Sequence, residues 1–307
     1  MKFILLVLLL SLTAFSHDDH DWRTDYEAYL SVSSEPMVFP KTLGRSKKRI
    51  DLNEFKKNLV TLSKIERGST ANLDITRSFL SEEYKKIGFE VSLQPFGSGT
   101  NFIAEKKGTS SPEKILILSS HIDSVGNKGA NDNGTGTIGV LAVSQELAKN
   151  NYPYTIRVLG FDREEKGLVG SDAYVATIKN KAQIIGNINF EMMGFHRKND
   201  GGFHVIDCER PFLLGTPSEK LSLEIKNSIS KLGLPLKVVK ACTNRSDHAS
   251  FWRAKIPAIV ISENFFGGDA DPCYHSKCDI VDERLNYSYM ESIMEAVLDA
   301  TEALLQN

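Results

Sequence analysis

Residues 114–123 read KILILSSHID, and this stretch decides the fold. Its apolar run, Ile115 to Leu118, is not interrupted by polar residues, which is typical of a strand with both faces buried. A second run of this kind, AIVI, occupies residues 258–261. Strands buried on both faces are expected in a parallel sheet that is covered by helices on each side.

Helical and strand patterns alternate on both sides of this stretch. Apolar residues at helical spacing predict helices over about 52–65 and 72–87. The pattern as a whole predicts one α/β domain over residues 51–307, doubly wound, with a mainly parallel mixed central sheet and helices on both faces. The predicted strands are 89–96, 114–120, 155–161, 184–192, 203–207, 236–240 and 256–262, and the later helices are 134–149, 171–180, 217–232, 247–254 and one from about Tyr287.

The residues before this domain follow other patterns. Residues 1–16 have a basic start, an apolar run and small residues before a polar stretch, which predicts a cleaved signal peptide. The apolar run covers only residues 3–15, whereas a membrane-spanning helix needs roughly 20 residues. Residues 17–50 are polar, include the basic run RSKKR and are predicted as a leader or pro-segment. The mature protein is therefore expected to be secreted or periplasmic, without a membrane anchor.

Composition and charge exclude several classes of protein. The chain has 307 residues, of which 41% are hydrophobic and 25% charged, as in ordinary soluble globular proteins. Lys plus Arg number 37 against 39 Asp plus Glu, and there is no basic stripe, so nucleic acid is not an expected partner. The four cysteines can form one or two disulfides in an oxidising compartment.

Ionisable side chains follow several predicted strands at the point where each strand ends. In open α/β sheets, ligands bind beyond the carboxyl ends of the strands. Each short motif alone is also typical of a loop, a solvated charge cluster or a helix N-cap. Their convergence on one sheet edge instead indicates a bound cation, which offsets the cost of burying so many charges. The residues are His121, Asp123, Asp132, Glu164, Glu165, Glu191, Tyr274 and His275.

Imidazole and carboxylate groups without a neighbouring thiolate favour zinc in a hydrolytic site. Asp132 can bridge two zinc ions through its two oxygens. One ion would also bind His121 and Glu191, and the other would bind Glu165 and His275. Each ion then keeps an open position for a shared water, as a catalytic site requires.

Two further acids are predicted to support this centre. Asp123 lies two residues beyond His121 and can accept the imidazole N–H, which fixes the tautomer of that ligand. Glu164 is adjacent to Glu165 and is predicted to be the general base for the water.

Six motifs in this order, SSHIDS, NDNGTG, FDREEKGLVGS, NFEMMG, RSDHASFW and DPCYHSKCD, resemble the secreted co-catalytic zinc aminopeptidase family that includes the bacterial leucyl aminopeptidases. The resemblance covers about residues 52–305 and implies the same five ligands, general base and partner of His121. It also implies that Tyr274 polarises the scissile carbonyl and that Arg245 helps to hold the substrate. The fourth motif departs from the family, whose common N-x-D-M has Asp where this chain has Glu191, and the extra methylene shifts that carboxylate.

The sequence therefore predicts an exported zinc-dependent aminopeptidase, a metallo-exopeptidase. It is expected to act as a monomer on peptides with a free N-terminus, hydrolysing the first peptide bond with a water activated by two zinc ions and a Glu general base. One alternative is a glutaminyl cyclase with one zinc, although NDNGTG and EEKGLVGS look more like the aminopeptidase forms. Another is a non-catalytic binding protein of the same fold, against which the retained Glu164–Glu165 pair argues.

Cys273 and Cys278 bracket His275, and a disulfide between them would hold this ligand in place. Zinc-thiolate binding and two free thiols are the alternatives, and export favours the disulfide. Cys208 and Cys242 are left as a candidate second pair, whose separation the sequence does not give.

Overall fold

The computed structural model describes residues 48–209 and 216–306. The predicted signal peptide and residues 17–47 of the predicted leader lie outside this part of the chain and stay predictions. The helices are α1 Leu52–Leu62, α2 Thr70–Lys86, α3 Gly136–Leu147, α4 Val169–Ala176, α5 Pro217–Leu232, α6 His248–Arg253 and α7 Tyr287–Gln306. The strands are β1 Glu90–Phe96, β2 Gly99–Lys106, β3 Ser111–His121, β4 Tyr154–Phe161, β5 Ile184–Glu191, β6 Gly202–Ile206, β7 Lys237–Val238 and β8 Ala258–Glu263.

The strands form one sheet in the order β1-β2-β4-β3-β5-β8-β6-β7. Its central strands, β4, β3, β5 and β8, are parallel to one another. The strands β1 and β2 on one side and β6 on the other pair antiparallel with their neighbours. The predicted single α/β domain with a mainly parallel mixed sheet is confirmed.

The apolar run of β3 is explained by the two faces of the sheet. Leu116 and Leu118 point into the larger core, which contains residues of α1, α3, α5 and α7. Ile115 and Ile117 point to the other face, into a smaller core with residues of α4 and α6. Burying such a side chain contributes about 1.5–3 kcal/mol, so helices on both faces stabilise this strand and fix the position of His121 at its end.

Several element boundaries differ from the sequence-based expectations. The strand β2 was not expected, because its sequence GTNFIAEK mixes charged and small residues with its apolar ones. The helix expected over 134–149 is α3, which is shorter and covers Gly136–Leu147, and the turn before it has non-helical backbone at Asp132 and Asn133. The strand expected over 236–240 has only two residues in the sheet. None of the helices in residues 48–209 and 216–306 is both long and apolar enough to cross a membrane.

Candidate metal centre

The parallel strands bring the predicted ligands to one edge of the sheet. His121 is the last residue of β3 and Glu191 is the last residue of β5. Glu165 lies in a short 3₁₀ turn just after β4. The other two come from connections, Asp132 from the turn before α3 and His275 from the segment between β8 and α7.

Asp132 lies at the centre of this cluster, between two imidazoles. Its Oδ1 is 3.3 Å from Nε2 of His121, and its Oδ2 is 3.2 Å from Nε2 of His275. A second carboxylate faces each imidazole: Glu191 Oε1 is 3.3 Å from His121 Nε2, and Glu165 Oε2 is 3.1 Å from His275 Nε2. The five side chains therefore form two halves that share Asp132.

The donor atoms fit a metal ion. Ligand atoms of His121, Asp132 and Glu165 lie within 4.8 Å of one another. Within the described residues, Oε1 of Glu165 is buried and accepts no hydrogen bond. Burying a carboxylate oxygen without a partner is costly, and a bound cation removes that cost. Carboxylate and imidazole ligands of this kind suit zinc.

The electrostatics of the cluster are strongly coupled. Burial lowers the pKa of His275, but the carboxylates of Asp132 and Glu165 outweigh this effect and raise it to about 10. Burial alone would raise the pKa of Asp132, but His121 and His275 hold it well below its usual value. The negative charges of Asp132 and Glu165, which stabilise the protonated imidazoles here, would also stabilise a bound cation.

Asp123 connects the end of β3 to the turn after β4. Its Oδ1 accepts the backbone N–H of Glu164 at 3.1 Å, and its Oδ2 accepts that of Glu165 at 3.2 Å. Its Oδ1 is also 3.5 Å from Nδ1 of His121, and its carbonyl oxygen is 3.2 Å from the same nitrogen. A proton on Nδ1 leaves Nε2 free to face the centre.

Two of the ligand-bearing segments contain residues with left-handed backbone. Arg163 and Leu168, on either side of the 3₁₀ turn, have φ of 61° and 62°, and His275 has φ of 55°. This conformation is unfavourable for residues other than glycine and is often found at functional sites. The turn of Glu164 and Glu165 is held in place by the two hydrogen bonds to Asp123.

Glu164 is close to several other carboxylates. Burial raises its pKa well above the usual value, and the negative charges of Asp247, Glu191 and Glu165 raise it further, while His121 opposes them. The environment thus favours a carboxyl group that can hold a proton.

Tyr274 and Arg245 differ in their relation to the cluster. The Tyr274 ring stacks on His275 with 3.8 Å between centroids, and the side chain of Phe265 contacts it edge-on at 5.0 Å. Burial and the negative charge of Asp132 raise the pKa of Tyr274, so its hydroxyl stays protonated. Arg245 is exposed, and within the described residues its guanidinium makes no hydrogen bond or ion pair with the cluster.

A buried polar network behind Glu191 was missed by the sequence reasoning. The Ser246 hydroxyl donates to Oε2 of Glu191 at 2.7 Å, and Nδ2 of Asn189 donates to Ser246 Oγ at 2.9 Å. The Ser119 hydroxyl lies 2.8 Å from the side-chain oxygens of both Asn187 and Asn189. The signal was available in the sequence, because two asparagines interrupt an otherwise apolar predicted strand.

Arg67 was also missed, and no sequence pattern marks it. Its side chain is fully buried, and it donates from Nε to the carbonyl of Ile122 at 2.9 Å and from Nη2 to that of Gly129 at 2.8 Å. Burial lowers its pKa, while the negative charges of Asp279 and Asp132 oppose that effect. A positive charge therefore lies behind the acidic cluster.

Asp279 fixes the backbone of the central ligand. Its two oxygens accept the backbone N–H groups of Asn131 at 2.7 Å and of Asp132 at 3.0 Å. Burial raises its pKa to about 6, although these two hydrogen bonds oppose the shift.

Both candidate disulfides are present. Cys273 and Cys278 are bonded, which closes the short loop that carries His275. Cys208 and Cys242 are also bonded, 34 residues apart in the chain, and connect the segment after β6 to the one that leads to Ser246. The cysteines are therefore not zinc ligands.

Comparison with known proteins identifies a matching family and a curated relative. A family model described as peptidase family M28 matches residues 101–301. The leupeptin-inactivating enzyme 1 of Streptomyces exfoliatus is 31% identical over 236 residues, which is 69% of this chain and 50% of that protein. The chain thus spans about half the length of this curated relative.

Solved structures share the fold. An aminopeptidase from Aneurinibacillus sp. strain AM-1 matches with a TM-score of 0.73 at 16% identity, covering 84% of this chain and 95% of the other. A zinc aminopeptidase from Bacillus subtilis matches with a TM-score of 0.60 at 25% identity, covering 68% of this chain and 50% of the other.

Proposed function

The chain belongs to peptidase family M28, and from this we propose that it is an exported zinc-dependent aminopeptidase that removes residues from the free N-terminus of peptides. One observation carries the proposal: the two oxygens of Asp132 face two imidazoles, at 3.3 and 3.2 Å, and each imidazole has its own second carboxylate. Two ligand sets that share one carboxylate suit two metal ions that act together.

The proposed ligands fall into two sets around Asp132. His121 and Glu191 would complete one set, and Glu165 and His275 would complete the other. Zinc, when bound, acts as a Lewis acid and makes a bound water a better nucleophile.

Proton transfer is assigned to Glu164. Its carboxylate would take a proton from the attacking water and return it to the leaving amine, as a general base and then a general acid. The raised pKa of Glu164, which results first from burial and then from the neighbouring carboxylates, supports this role. Asp123 would hold both Glu164 and His121 in position through the contacts described above.

Negative charge and one hydroxyl would recognise the substrate. The α-ammonium of a peptide would pair with Glu191, whose side chain is at the edge of the cluster. The Tyr274 hydroxyl would donate to the scissile carbonyl as negative charge develops on its oxygen. Arg245 is exposed, so we propose that it contacts the substrate beyond the first residue.

Export is supported by the cysteines. Two disulfides in a chain of this composition are typical of an oxidising compartment, outside the cell or in the periplasm. This agrees with the signal peptide that the sequence predicts for residues 1–16.

The substitution Glu164→Gln tests the mechanism. It keeps the size of the side chain but removes the base, so we expect hydrolysis of an aminoacyl anilide to fall by roughly 10²–10⁴-fold. Zinc content, measured by elemental analysis, should stay at two ions per chain. The matched control is Glu283→Gln, which changes an exposed acid that is not among the proposed ligands and should leave the rate unchanged. If Glu164→Gln kept most of the activity at full zinc content, the assignment of the base would be wrong.

Product analysis tests the reaction itself. A peptide with a free N-terminus should release its first amino acid, and its N-acetylated copy should not react, because acetylation removes the ammonium group. Equal rates for the two peptides would overturn the aminopeptidase proposal. With an N-terminal glutaminyl peptide, loss of ammonia without release of an amino acid would identify a glutaminyl cyclase instead. Less than one zinc per chain and no hydrolysis would identify a binding protein.

A further inference from the structure

The last two residues of the basic run in the predicted leader, Lys48 and Arg49, lie on an acidic face of α7. The Lys48 ammonium pairs with Glu291, and Nη1 of Arg49 lies 2.7 Å from Oε2 of Glu302. The Lys48 side chain is 55% exposed, whereas that of Arg49 is 34% exposed. The chain therefore passes from an exposed position into the protein over these two residues.

Glu295, between those acids on α7, binds the backbone of the same segment. Its Oε1 accepts the N–H of Arg49 and also that of Ile50, the latter at 2.8 Å. The Glu295 side chain is 5% exposed, and Ile50 is also 5% exposed and belongs to the larger core. The hydrogen-bond donors to this buried carboxylate are thus two neutral backbone amides, those of Arg49 and Ile50. The Arg49 guanidinium is farther away, with its Nε 3.8 Å from Oε2 of Glu295.

We propose that a trypsin-like protease cleaves the bond between Lys48 and Arg49, and that the new α-ammonium group of Arg49 then pairs with Glu295. Water adds to the Lys48 carbonyl carbon and the C–N bond breaks. Lys48 leaves with a carboxylate, and the Arg49 nitrogen becomes an ammonium group where it now donates to Glu295 as an amide. The bond to Glu295 then joins two charged groups, which is stronger than a bond from a neutral amide.

Access and charge both favour this bond over the one that follows it. Lys48 lines an open cavity of about 750 Å³, which gives space on one side of its side chain. The following bond is less accessible, because Ile50 on its far side is only 5% exposed, whereas the Arg49 side chain is 34% exposed. Cleavage removes the positive charge of Lys48 from the acidic face of α7. It also introduces a positive ammonium group beside Glu295, which is more deeply buried than Glu291, so the net charge of this face is unchanged.

Limited digestion of the purified precursor with trypsin tests the site. The expected product is a resistant domain that begins at Arg49, identified by N-terminal sequencing and intact mass. Lys48→Gln should abolish this product, and Lys48→Arg, the matched control, should preserve it. A resistant domain that begins at another residue, or the same product from Lys48→Gln, would overturn the proposal.

The pH dependence of stability tests the pairing with Glu295. An α-amino group has a pKa of about 7.7–8.0 in an unfolded chain, and a carboxylate partner raises it in the folded state. The stabilisation is therefore complete below pH 7.7 and is lost as the pH rises through the higher folded value. We expect the melting temperature of the cleaved protein to fall by about 2–4 °C more than that of the precursor between pH 7 and pH 10.

Apart from Lys48, which leaves on cleavage, the other charged groups around Glu295 are common to both forms. Tyr152, which donates to Glu302, has a pKa raised by burial to about 12, above the range of the measurement. Comparison with the precursor cancels the contributions of the remaining groups. These are Arg49, Glu291, Asp299, Glu302 and Lys231, which pairs with Asp299, and the groups of the adjacent cavity, His196, Asp200, Lys237 and Tyr289.

Two variants separate the pairing from a general effect of charge. Glu295→Gln should remove the difference between the pH profiles of the cleaved protein and the precursor. Glu291→Gln is the control, because its partner Lys48 leaves on cleavage, and it should keep the difference. Identical profiles for the cleaved protein and the precursor, or an unchanged difference in Glu295→Gln, would show that the new N-terminus does not pair with Glu295.

Discussion

Glu191 shows how a ligand carboxylate is oriented by residues that do not face the metal centre. One of its oxygens faces His121, and the other accepts the Ser246 hydroxyl. Ser246 in turn accepts from Asn189, so it both donates and accepts within a buried site. The side chain of Glu191 has one more rotatable bond than the Asp that is common at this position of the family motif. The hydrogen bond from Ser246 restricts this additional rotation.

Substituting Ser246 should weaken metal binding. Ser246→Ala removes the hydrogen bond to Glu191 and leaves Nδ2 of Asn189 without its acceptor, so we expect zinc affinity to fall by about 10–100-fold. Competition with a chromophoric chelator measures this change. Ser250→Ala is the matched control, because Ser250 on α6 bonds to Ser171 on α4 and not to the proposed ligands. Equal zinc affinity in the two variants would contradict the role of Ser246.

At the scale of secondary-structure elements, the connection between α1 and α2 supports the loop that carries Asp132. Arg67 lies in this connection and reaches carbonyl groups on both sides of the loop after β3. Its backbone N–H also donates to the Ser124 hydroxyl at 3.0 Å. A buried guanidinium thus joins the first helices to the acidic edge of the sheet.

Substituting Arg67 should destabilise the protein. Arg67→Met removes a hydrogen-bond donor from the carbonyl groups of Ile122 and Gly129 and removes the positive charge behind the carboxylates. Removing one charged group from a buried set of opposite charges costs about 3–5 kcal/mol, because the remaining charges are left without compensation. Urea unfolding should show this loss, whereas Lys57→Met, on the exposed face of α1, should stay within about 0.5 kcal/mol of the unchanged protein. A small effect of Arg67→Met would mean that water replaces the guanidinium.

The sequence predicted elements where one physical effect dominates. The strand β3 was predicted because burial on both faces requires apolar residues throughout, and the ends of parallel strands then bring His121 and Glu191 together. The strand β2 was missed because it is held by pairing with β1 and β4 more than by its own pattern. Arg67 was missed because its partners are backbone carbonyls, which carry no mark in the sequence.

At the scale of the whole molecule, two buried histidines, His204 and His248, are neutral and hydrogen-bond to the backbone of other residues. Nδ1 of His204 lies 2.8 Å from the carbonyl of Val239, and its Nε2 accepts the N–H of Phe266 at 3.1 Å. A nitrogen that accepts a hydrogen bond cannot carry a proton. His248, at the start of α6, has Nε2 2.8 Å from the carbonyl of Thr243.

These histidines should make the fold sensitive to acid. Burial lowers the pKa of His204 and of His248 to about 4, whereas an unfolded chain has a histidine pKa of about 6.5. Between these values the unfolded state binds protons that the folded state does not, so stability is complete above pH 6.5 and is lost as the pH falls towards 4. Each residue is expected to contribute about 3 kcal/mol to this loss.

Urea unfolding of the protein in a chelator, at pH values from 7 to 4, measures this dependence without a contribution from zinc release. His204→Gln should lower stability at pH 7, because the contacts with Val239 and Phe266 are not fully replaced. Its stability should then fall less steeply with decreasing pH, because glutamine does not titrate. Carboxylates and the remaining histidines are the same in both proteins, so the difference between the two slopes isolates His204. Parallel slopes between pH 6.5 and pH 4 would mean that His204 is protonated in the folded state, and that its hydrogen bond from Phe266 breaks before the chain unfolds.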